Sequence, residues 1–265
     1  MTQTLKISIG DLLRRRAPRV AAMLPPIAVH ALEKRLCVDR LNDYITHHAE
    51  LPTSEFLHRF LATIRVDYSI EGLDRLPADG RYIFASNHPF GGLDGVVLAA
   101  AMIDRFGNDL LSEIRPLDAI WLPVNLHGRQ RGDYALRYEE ALRGDKPIVT
   151  FPAGLCSRRI DGRVRDTEWH TSFVRRAMLH DRDIVPVYVA GQLSDAFYRL
   201  ADIRRRLGIG FNLEMMRLPS EMFAQSGQTI RVRVGEAMPS EQIRRSESLS
   251  EVCGEIRRRV YQMAM

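Results

Sequence analysis

Residues 81–95 read RYIFASNHPFGGLDG, and this stretch decides the fold class. Its first half is an apolar run that ends at Ser86, Asn87 and His88, a pattern typical of a buried strand leading into a polar loop. A glycine pair then permits a tight turn, and the apolar residues that begin at Leu93 have the composition of a helix. The stretch therefore predicts a strand, a turn and a helix, with polar side chains at the carboxyl end of the strand.

The same alternation of strands and helices continues on both sides of this stretch. Periodicity predicts strands at 64–70, 81–85, 119–124, 147–151, 184–189 and 229–234, and helices at 93–105, 133–142, 168–180, 194–207 and 241–261. We therefore predict an α/β fold with a mixed, mostly parallel central sheet flanked by helices. In such folds, ligands bind in the loops at the carboxyl ends of the strands.

The N-terminal part of the chain is helical in its pattern. Apolar spacing predicts helices at 9–23 and 27–47, and a third helix follows Pro52. These helices precede the first predicted strand, so they form an addition to the α/β domain. We predict an N-terminal helical cap at residues 1–62, able to associate with a membrane, and an α/β domain at residues 63–265.

The composition is that of a globular protein in a reducing compartment. The chain has 265 residues, of which 45% are hydrophobic and 27% are charged. Cys37, Cys156 and Cys253 are odd in number and widely spaced, which fits neither a disulfide framework nor a zinc site. No apolar signal segment is evident, and no run approaches the ~20 apolar residues of a spanning helix. We therefore expect a cytoplasmic protein that does not cross a membrane and binds no metal.

The net charge of +5 comes from an excess of arginine. Arginine triplets stand at Arg14–Arg16, Arg204–Arg206 and Arg257–Arg259. Basic surfaces suit anionic lipid, acyl carrier protein or nucleic acid, while solvated helix faces are the simpler explanation for any one triplet. No basic patch is interleaved with aromatic residues and no nucleic-acid-binding module is recognisable, so we expect no nucleic-acid partner.

The polar residues after the strand at 81–85 have the types needed for acid–base catalysis. A neutral His88 imidazole can take a proton from an attacking hydroxyl or amine, and a carboxylate such as Asp94 can fix its tautomer. Gly91 and Gly92 allow the chain to fold back, and their backbone N–H groups are candidate oxyanion donors. A tight turn with a capping Asp94 and an incidental histidine is the structural alternative.

The segment Asn87-His88-Pro89 with Asp94 at the helix entry resembles the His–Asp motif of the lysophospholipid and glycerolipid acyltransferases. Five residues separate His88 from Asp94, where the usual spacing in that family is four. The longer form NHPFGGLDG is most similar to a bacterial branch described as hemolysin-like or as amino-acid N-acyltransferases. The resemblance implies that His88 and Asp94 are the catalytic pair and that Asn87 contacts substrate.

Three further segments resemble the other sequence blocks of that family, in the family's order. Residues 126–133, LHGRQRGD, resemble the second block, and the resemblance implies that Arg129 and Arg131 bind the anionic head of the acceptor. Residues 184–189, IVPVYV, resemble the fourth block, a strand near the acyl pocket.

Residues 151–158, FPAGLCSR, resemble the family's third block, Phe-Pro-Glu-Gly-Thr-Arg-Ser. Gly154 and Ser157 keep their places, while Ala153 and Cys156 replace the glutamate and the arginine. The resemblance implies that Arg158, one position further along, substitutes for the missing cation. The resemblance therefore places Gly154, Ser157 and Arg158 in the substrate site. Cys156 is a weaker candidate, as a covalent nucleophile, because no second histidine stands beside it in the sequence.

The resemblance implies an acyltransferase that moves a fatty acyl group from acyl carrier protein or coenzyme A to a lysolipid hydroxyl. His88 would act as general base, the thioester would be a co-substrate, and no cofactor would be permanently bound. The enzyme would lie peripherally on the inner face of the cytoplasmic membrane. Two alternatives stay open: an acceptor amine on an amino acid or aminolipid, and an inactive protein that binds lipid or acyl carrier protein.

Overall fold

The computed structural model of the protein describes residues 7–107 and 138–264. The helices are α1 Ile9–Arg16, α2 Pro18–Met23, α3 Pro26–Arg35, α4 Val38–His48, α5 Thr53–Ile64, α6 Gly92–Phe106, α7 Ser172–Leu179, α8 Asp195–Arg206, α9 Leu218–Ala224, α10 Ser240–Arg244 and α11 Leu249–Gln262. The strands are β1 Asp67–Glu71, β2 Tyr82–Ser86, β3 Ile148–Thr150, β4 Arg158–Ile160, β5 Arg163–Arg165, β6 Asp183–Val189 and β7 Thr229–Val234. Residues 138–143 are also helical. The predicted strand at 119–124 and the start of the helix predicted at 133–142 lie outside the described residues.

The described residues form two compact units, a helical one and an α/β one. The helical unit contains residues up to Val66 together with Leu193–Gln228. The α/β unit runs from Asp67 to Gln192, apart from the undescribed segment, and resumes at Thr229.

In the helical unit, both long helices predicted at the N-terminus are interrupted. The helix predicted at 9–23 ends at Arg16, because Pro18 has no backbone N–H and instead begins α2. The helix predicted at 27–47 is divided at Cys37, whose φ of 57° is left-handed and so ends α3 before α4 begins. The two predictions of single helices were therefore wrong, although the N-terminal region is helical as expected.

Residues 193–228 belong with the N-terminal helices. The Phe223 ring of α9 lies edge-on to Phe60, with 6.5 Å between ring centroids, and the Arg40 guanidinium lies 4.1 Å from the Phe223 ring centroid. The predicted domains, 1–62 and 63–265, did not include this association. That division into separate domains stays a prediction. The observed helical unit contains residues from both predicted domains.

The α/β unit is built on a five-stranded sheet in the order β1-β7-β6-β2-β3. The β1–β7, β2–β6 and β2–β3 pairs are parallel, and the β6–β7 pair is antiparallel. The prediction of a mixed, mostly parallel sheet with flanking helices is therefore confirmed. Since β2 and β6 are parallel, Ser86 and Val189 end their strands at the same edge of the sheet, and the loops that follow them meet there.

Apolar residues of α7 and α11 pack on the sheet. Phe173 and Val174 of α7 and Ile256 and Val260 of α11 lie in one buried cluster with Ile83 of β2. The helix predicted at 241–261 is two helices, α10 and α11, because the hydroxyl of Ser248 accepts a hydrogen bond from the Glu251 N–H and caps a new start. The short antiparallel hairpin of β4 and β5 was not predicted. In the described ranges, no helix has both the length and the apolar composition that spanning a bilayer requires.

Candidate active site

The strand–turn–helix unit brings His88 and Asp94 into contact. His88 follows the end of β2, and Asp94 lies in the first turn of α6. The Nδ1 atom of His88 is 2.8 Å from Oδ2 of Asp94. The oxygen lies off the axis of the ring N–H, so this is a close but bent contact. Gly91 has a φ of 69° that a side chain would oppose, and this turn accommodates the fifth residue between the pair.

The carboxylate of Asp94 is fully buried. Its Oδ2 also accepts a hydrogen bond from the Phe90 N–H at 2.9 Å. Burial raises the pKa of Asp94, while the contacts with His88 and with the Phe90 N–H oppose that increase. An imidazole with a carboxylate at Nδ1 presents its Nε2 as the basic nitrogen, so the pair can accept a proton from a nucleophile.

Asn87 connects the carboxyl ends of β2 and β6. Its amide nitrogen donates to the Val189 carbonyl at 2.9 Å, and its amide oxygen accepts from the Val189 N–H at 2.7 Å. The side chain is 3% exposed. Both amide groups are bonded to the backbone of a neighbouring strand, so Asn87 joins the two strand ends. Its contact with substrate stays a prediction.

The segment that resembles the third block lies directly against His88. The Phe151 ring stacks on the imidazole, with 4.0 Å between ring centroids and 28° between ring planes. The Ser157 N–H donates to the His88 carbonyl at 2.8 Å. The Ser157 hydroxyl donates to a carboxylate oxygen of Asp166 at 2.5 Å, and Ser157 is buried. Its place in the substrate site stays a prediction.

The other residues predicted for the site are placed differently. Gly154 is exposed, in a turn closed by its own N–H and the Phe151 carbonyl. Arg158 is half-buried, and its guanidinium donates to the carbonyl and the sulfur of Cys156 at 2.9 and 3.0 Å. Arg129 and Arg131 lie outside the described residues.

The backbone predicted to hold the oxyanion stands at the start of α6. Gly91 is the N-cap residue and Gly92 is the first helical residue, and no side chain caps this end of the helix. The positive end of a helix dipole favours negative charge at such a position. Within 7–107 and 138–264, no group of three or more histidine, cysteine or acidic side chains could hold a metal ion.

Asp166 was missed by the sequence analysis. It is 1% exposed, and its Oδ1 accepts from the His88 N–H at 3.2 Å, across 78 positions of the sequence. Its Oδ2 accepts from the indole N–H of Trp169 at 2.9 Å. An isolated aspartate in a charged segment carries no local signal, so only its tertiary position shows that it belongs beside the histidine.

Several known proteins are similar to this chain. A family model described as "Acyltransferase" matches residues 11–265. A "Lyso-glycine lipid O-acyltransferase" of Bacteroides thetaiotaomicron is 33% identical over 97% of both chains. A protein of the same name from Phocaeicola vulgatus is 34% identical over 88% of this chain and 86% of its own. The crystal structure of the 1-acyl-sn-glycerophosphate acyltransferase PlsC of Thermotoga maritima aligns over 96% of both chains, with 17% identity and a TM-score of 0.45.

Proposed function

Because this chain belongs to the acyltransferase family and is therefore an acyltransferase, we propose that it moves a fatty acyl group from a thioester donor to a lysolipid hydroxyl. The observation that carries the proposal is the contact of 2.8 Å between His88 and Asp94 at the carboxyl edge of the sheet. A distance well beyond hydrogen-bond reach would have favoured the inactive binding protein instead.

The relatives favour oxygen over nitrogen as the acylated atom. Both are named as O-acyltransferases, and both names specify a lysolipid built on glycine. We therefore take a lyso-glycine lipid as the first acceptor to test, ahead of the amino-acid or aminolipid amine. The donor is either acyl carrier protein or coenzyme A carrying the acyl group as a thioester.

In the proposed reaction, Nε2 of His88 removes the proton from the acceptor hydroxyl. The oxygen attacks the thioester carbonyl and forms a tetrahedral intermediate, whose oxyanion is stabilised by the backbone N–H groups of Gly91 and Gly92. Collapse of the intermediate breaks the carbon–sulfur bond, and the leaving thiolate takes the proton back from His88. Asp94 stays ionised and stabilises the imidazolium during the step.

The proposal includes a membrane surface as the place of reaction. Met23 and Ile27 are 82% and 78% exposed, at the end of α2 and the start of α3. Arg14 and Arg19 lie exposed in the helices that lead up to them. Apolar side chains next to cationic ones suit the boundary of an anionic leaflet, so we propose peripheral attachment to the inner face of the cytoplasmic membrane.

The test is mass spectrometry of the products formed from acyl-ACP or acyl-CoA and a lyso-glycine lipid. We expect the wild type to add one acyl group through an alkali-labile ester, and His88→Ala to add none because the base is gone. His47→Ala is the matched control, since that histidine is exposed on α4. An alkali-stable amide product would identify the amine as acceptor, and equal products from wild type and His88→Ala would remove His88 as the base.

A further inference from the structure

The carboxylate of Asp166 accepts three hydrogen bonds from residues elsewhere in the α/β unit. Asp166 follows β5 directly, and its buried carboxylate accepts from the His88 N–H, the Ser157 hydroxyl and the Trp169 indole N–H. A buried carboxylate that is fully hydrogen-bonded to its surroundings fixes the segments that supply the donors.

The backbone of Asp166 is itself anchored to α11. Its N–H donates to the Tyr261 hydroxyl at 2.7 Å, and its carbonyl accepts from the Arg257 guanidinium at 2.9 Å. Tyr261 and Arg257 lie in the helix that packs in the core cluster through Ile256 and Val260. The carboxylate therefore has a fixed position relative to the sheet.

The contacts around His88 form a closed ring. Asp166 holds the His88 N–H, and Ser157, itself bonded to Asp166, holds the His88 carbonyl through its own N–H. Both peptide groups of the histidine are thus fixed, and the Phe151 ring covers one face of its imidazole. The direction of the imidazole towards Asp94 and towards substrate depends on this backbone.

We propose that Asp166 is a positioning residue that holds the backbone of His88 so that its imidazole meets both Asp94 and the acceptor hydroxyl. This proposal rests on the proposed function of His88 as the general base. The hydrogen bond from Asp166 to His88 is to its peptide N–H and not to the imidazole, so Asp166 positions the ring through the backbone.

Only a carboxylate satisfies this site. The His88 N–H and the Trp169 N–H point at different oxygens of Asp166, and an N–H group cannot accept. An asparagine at this position turns its own NH₂ towards one of the two, which leaves two donors facing each other in a buried site. The repulsion moves the side chain at position 166 away from both donors, so Asp166→Asn loosens the hold on the His88 peptide while it changes the side-chain volume very little.

The experiment compares Asp166→Asn with Glu221→Gln. Glu221 is 2% exposed in the helical unit and accepts from a similar donor set: the Ser194 N–H and hydroxyl and the Arg217 guanidinium. We expect Asp166→Asn to lower kcat by about 100-fold with KM changed by less than about threefold, as a displaced base does. We expect Glu221→Gln to lower the thermal midpoint similarly and to keep kcat within about twofold.

A second variant tests the geometric reason. The Trp169→Phe substitution removes the indole donor, so the NH₂ group that Asp166→Asn introduces no longer faces another N–H. We expect the effect of Asp166→Asn on kcat to be several-fold smaller in a Trp169→Phe background than in the wild type. A wild-type-like kcat for Asp166→Asn, a rise of KM alone, or an effect that Trp169→Phe leaves unchanged would overturn the proposal.

A third readout does not depend on activity. In protein labelled with ¹⁵N-histidine, the amide resonance of His88, assigned with His88→Ala, should shift in Asp166→Asn and stay in place in Glu221→Gln. If the wild type transfers no acyl group, the proposed function fails on its own, and the amide resonance still decides the positioning role. An unchanged His88 amide in Asp166→Asn would end that role even in an active enzyme.

Discussion

At the scale of single residues, the site keeps a carboxylate where water cannot reach it. Asp94 is fully buried, and one of its oxygens, Oδ1, has no hydrogen-bond partner among the described residues. The stabilisation that His88 and the Phe90 N–H provide is outweighed by burial, which raises the pKa of Asp94. A buried carboxylate of this kind costs stability whenever it is ionised, and in the proposed reaction the ionised form stabilises the imidazolium.

Asp94→Asn should separate activity from stability. The amide cannot stabilise the imidazolium and favours the wrong tautomer of His88, so we expect kcat to fall by about 10³- to 10⁴-fold. Steady-state rates with the acyl donor and lysolipid at saturation measure this. A loss of less than about tenfold would show that Asp94 does not orient the base.

The thermal midpoint of Asp94→Asn should equal or exceed that of the wild type at neutral pH. Since the pKa of Asp94 is raised in the folded protein, the ionised side chain lowers stability above that pKa, and the cost shrinks as the pH falls from that raised pKa towards the ordinary pKa of an aspartate. The advantage of the variant should therefore shrink on acidification. Calorimetry from neutral to acidic pH measures it, and an advantage that grows towards acid would contradict the sign.

At the scale of secondary-structure elements, the loops after β2 and β6 fit closely together. Gly191, just after β6, has a φ of 141°, and a Cβ there would lie 2.0 Å from the Phe90 ring. The asparagine bridge from Asn87 to Val189 holds the same two strand ends. The position of the turn that carries His88 and Asp94 is therefore set by β6 as well as by its own sequence.

A buried arginine joins other elements of the α/β unit. Arg182 precedes β6 and is 0% exposed. Among the described residues it donates to backbone carbonyls alone, those of the 138–143 helix, of the loop after it and of β2. Burial lowers the pKa of Arg182 to about 10, so the side chain stays protonated at neutral pH. One guanidinium replaces the hydrogen-bonding that these carbonyls would otherwise obtain from water.

Arg182→Met should leave those carbonyls buried and unpaired. We expect the free energy of unfolding to fall by about 3–5 kcal/mol, measured by urea denaturation. Arg245→Met is the matched control, since Arg245 is 76% exposed and its ion pair with Glu241 is worth at most about 1 kcal/mol. Equal losses in the two variants would show that the Arg182 contacts contribute no special stability.

At the scale of the whole molecule, a net charge of +5 and exposed apolar side chains favour attachment to an anionic membrane surface. Deleting the first fifty residues is a poor test of membrane attachment, because it would remove part of the core of the helical unit. Buried residues in the deleted segment include Leu13, Leu41, Tyr44 and Ile45. Substitutions at the exposed positions leave that core intact.

The double substitution Met23→Asp and Ile27→Asp should weaken binding to vesicles with anionic lipid by about tenfold or more, because it removes apolar contact and adds negative charge. Vesicle co-sedimentation measures the affinity, which should also fall as salt is raised. Leu179→Asp is the control, since that side chain is 72% exposed but lies in the α/β unit. Undiminished binding by the double variant would remove α2 and α3 as the attachment site.

The sequence by itself determined the α/β class, the helical N-terminus and the closeness of His88 to Asp94. These follow from period-2 and period-3.6 patterns and from a glycine turn, all of which act within a few residues. Even the helix break at Pro18 is a local effect that the sequence contains, although the prediction overlooked it.

Only the tertiary structure decided the partners that lie far apart in the chain. Asn87 and Val189 are 102 positions apart, Asp166 and His88 are 78 apart, and Phe223 joins residues 193–228 to the N-terminal helices. No local pattern contains these pairs, because an amide or a carboxylate bonds with whichever donor the strand register and the packing of helices bring beside it. The proposed catalytic pair therefore lies in one short segment of the sequence, whereas the hydrogen bonds that hold its backbone are formed only in the folded protein.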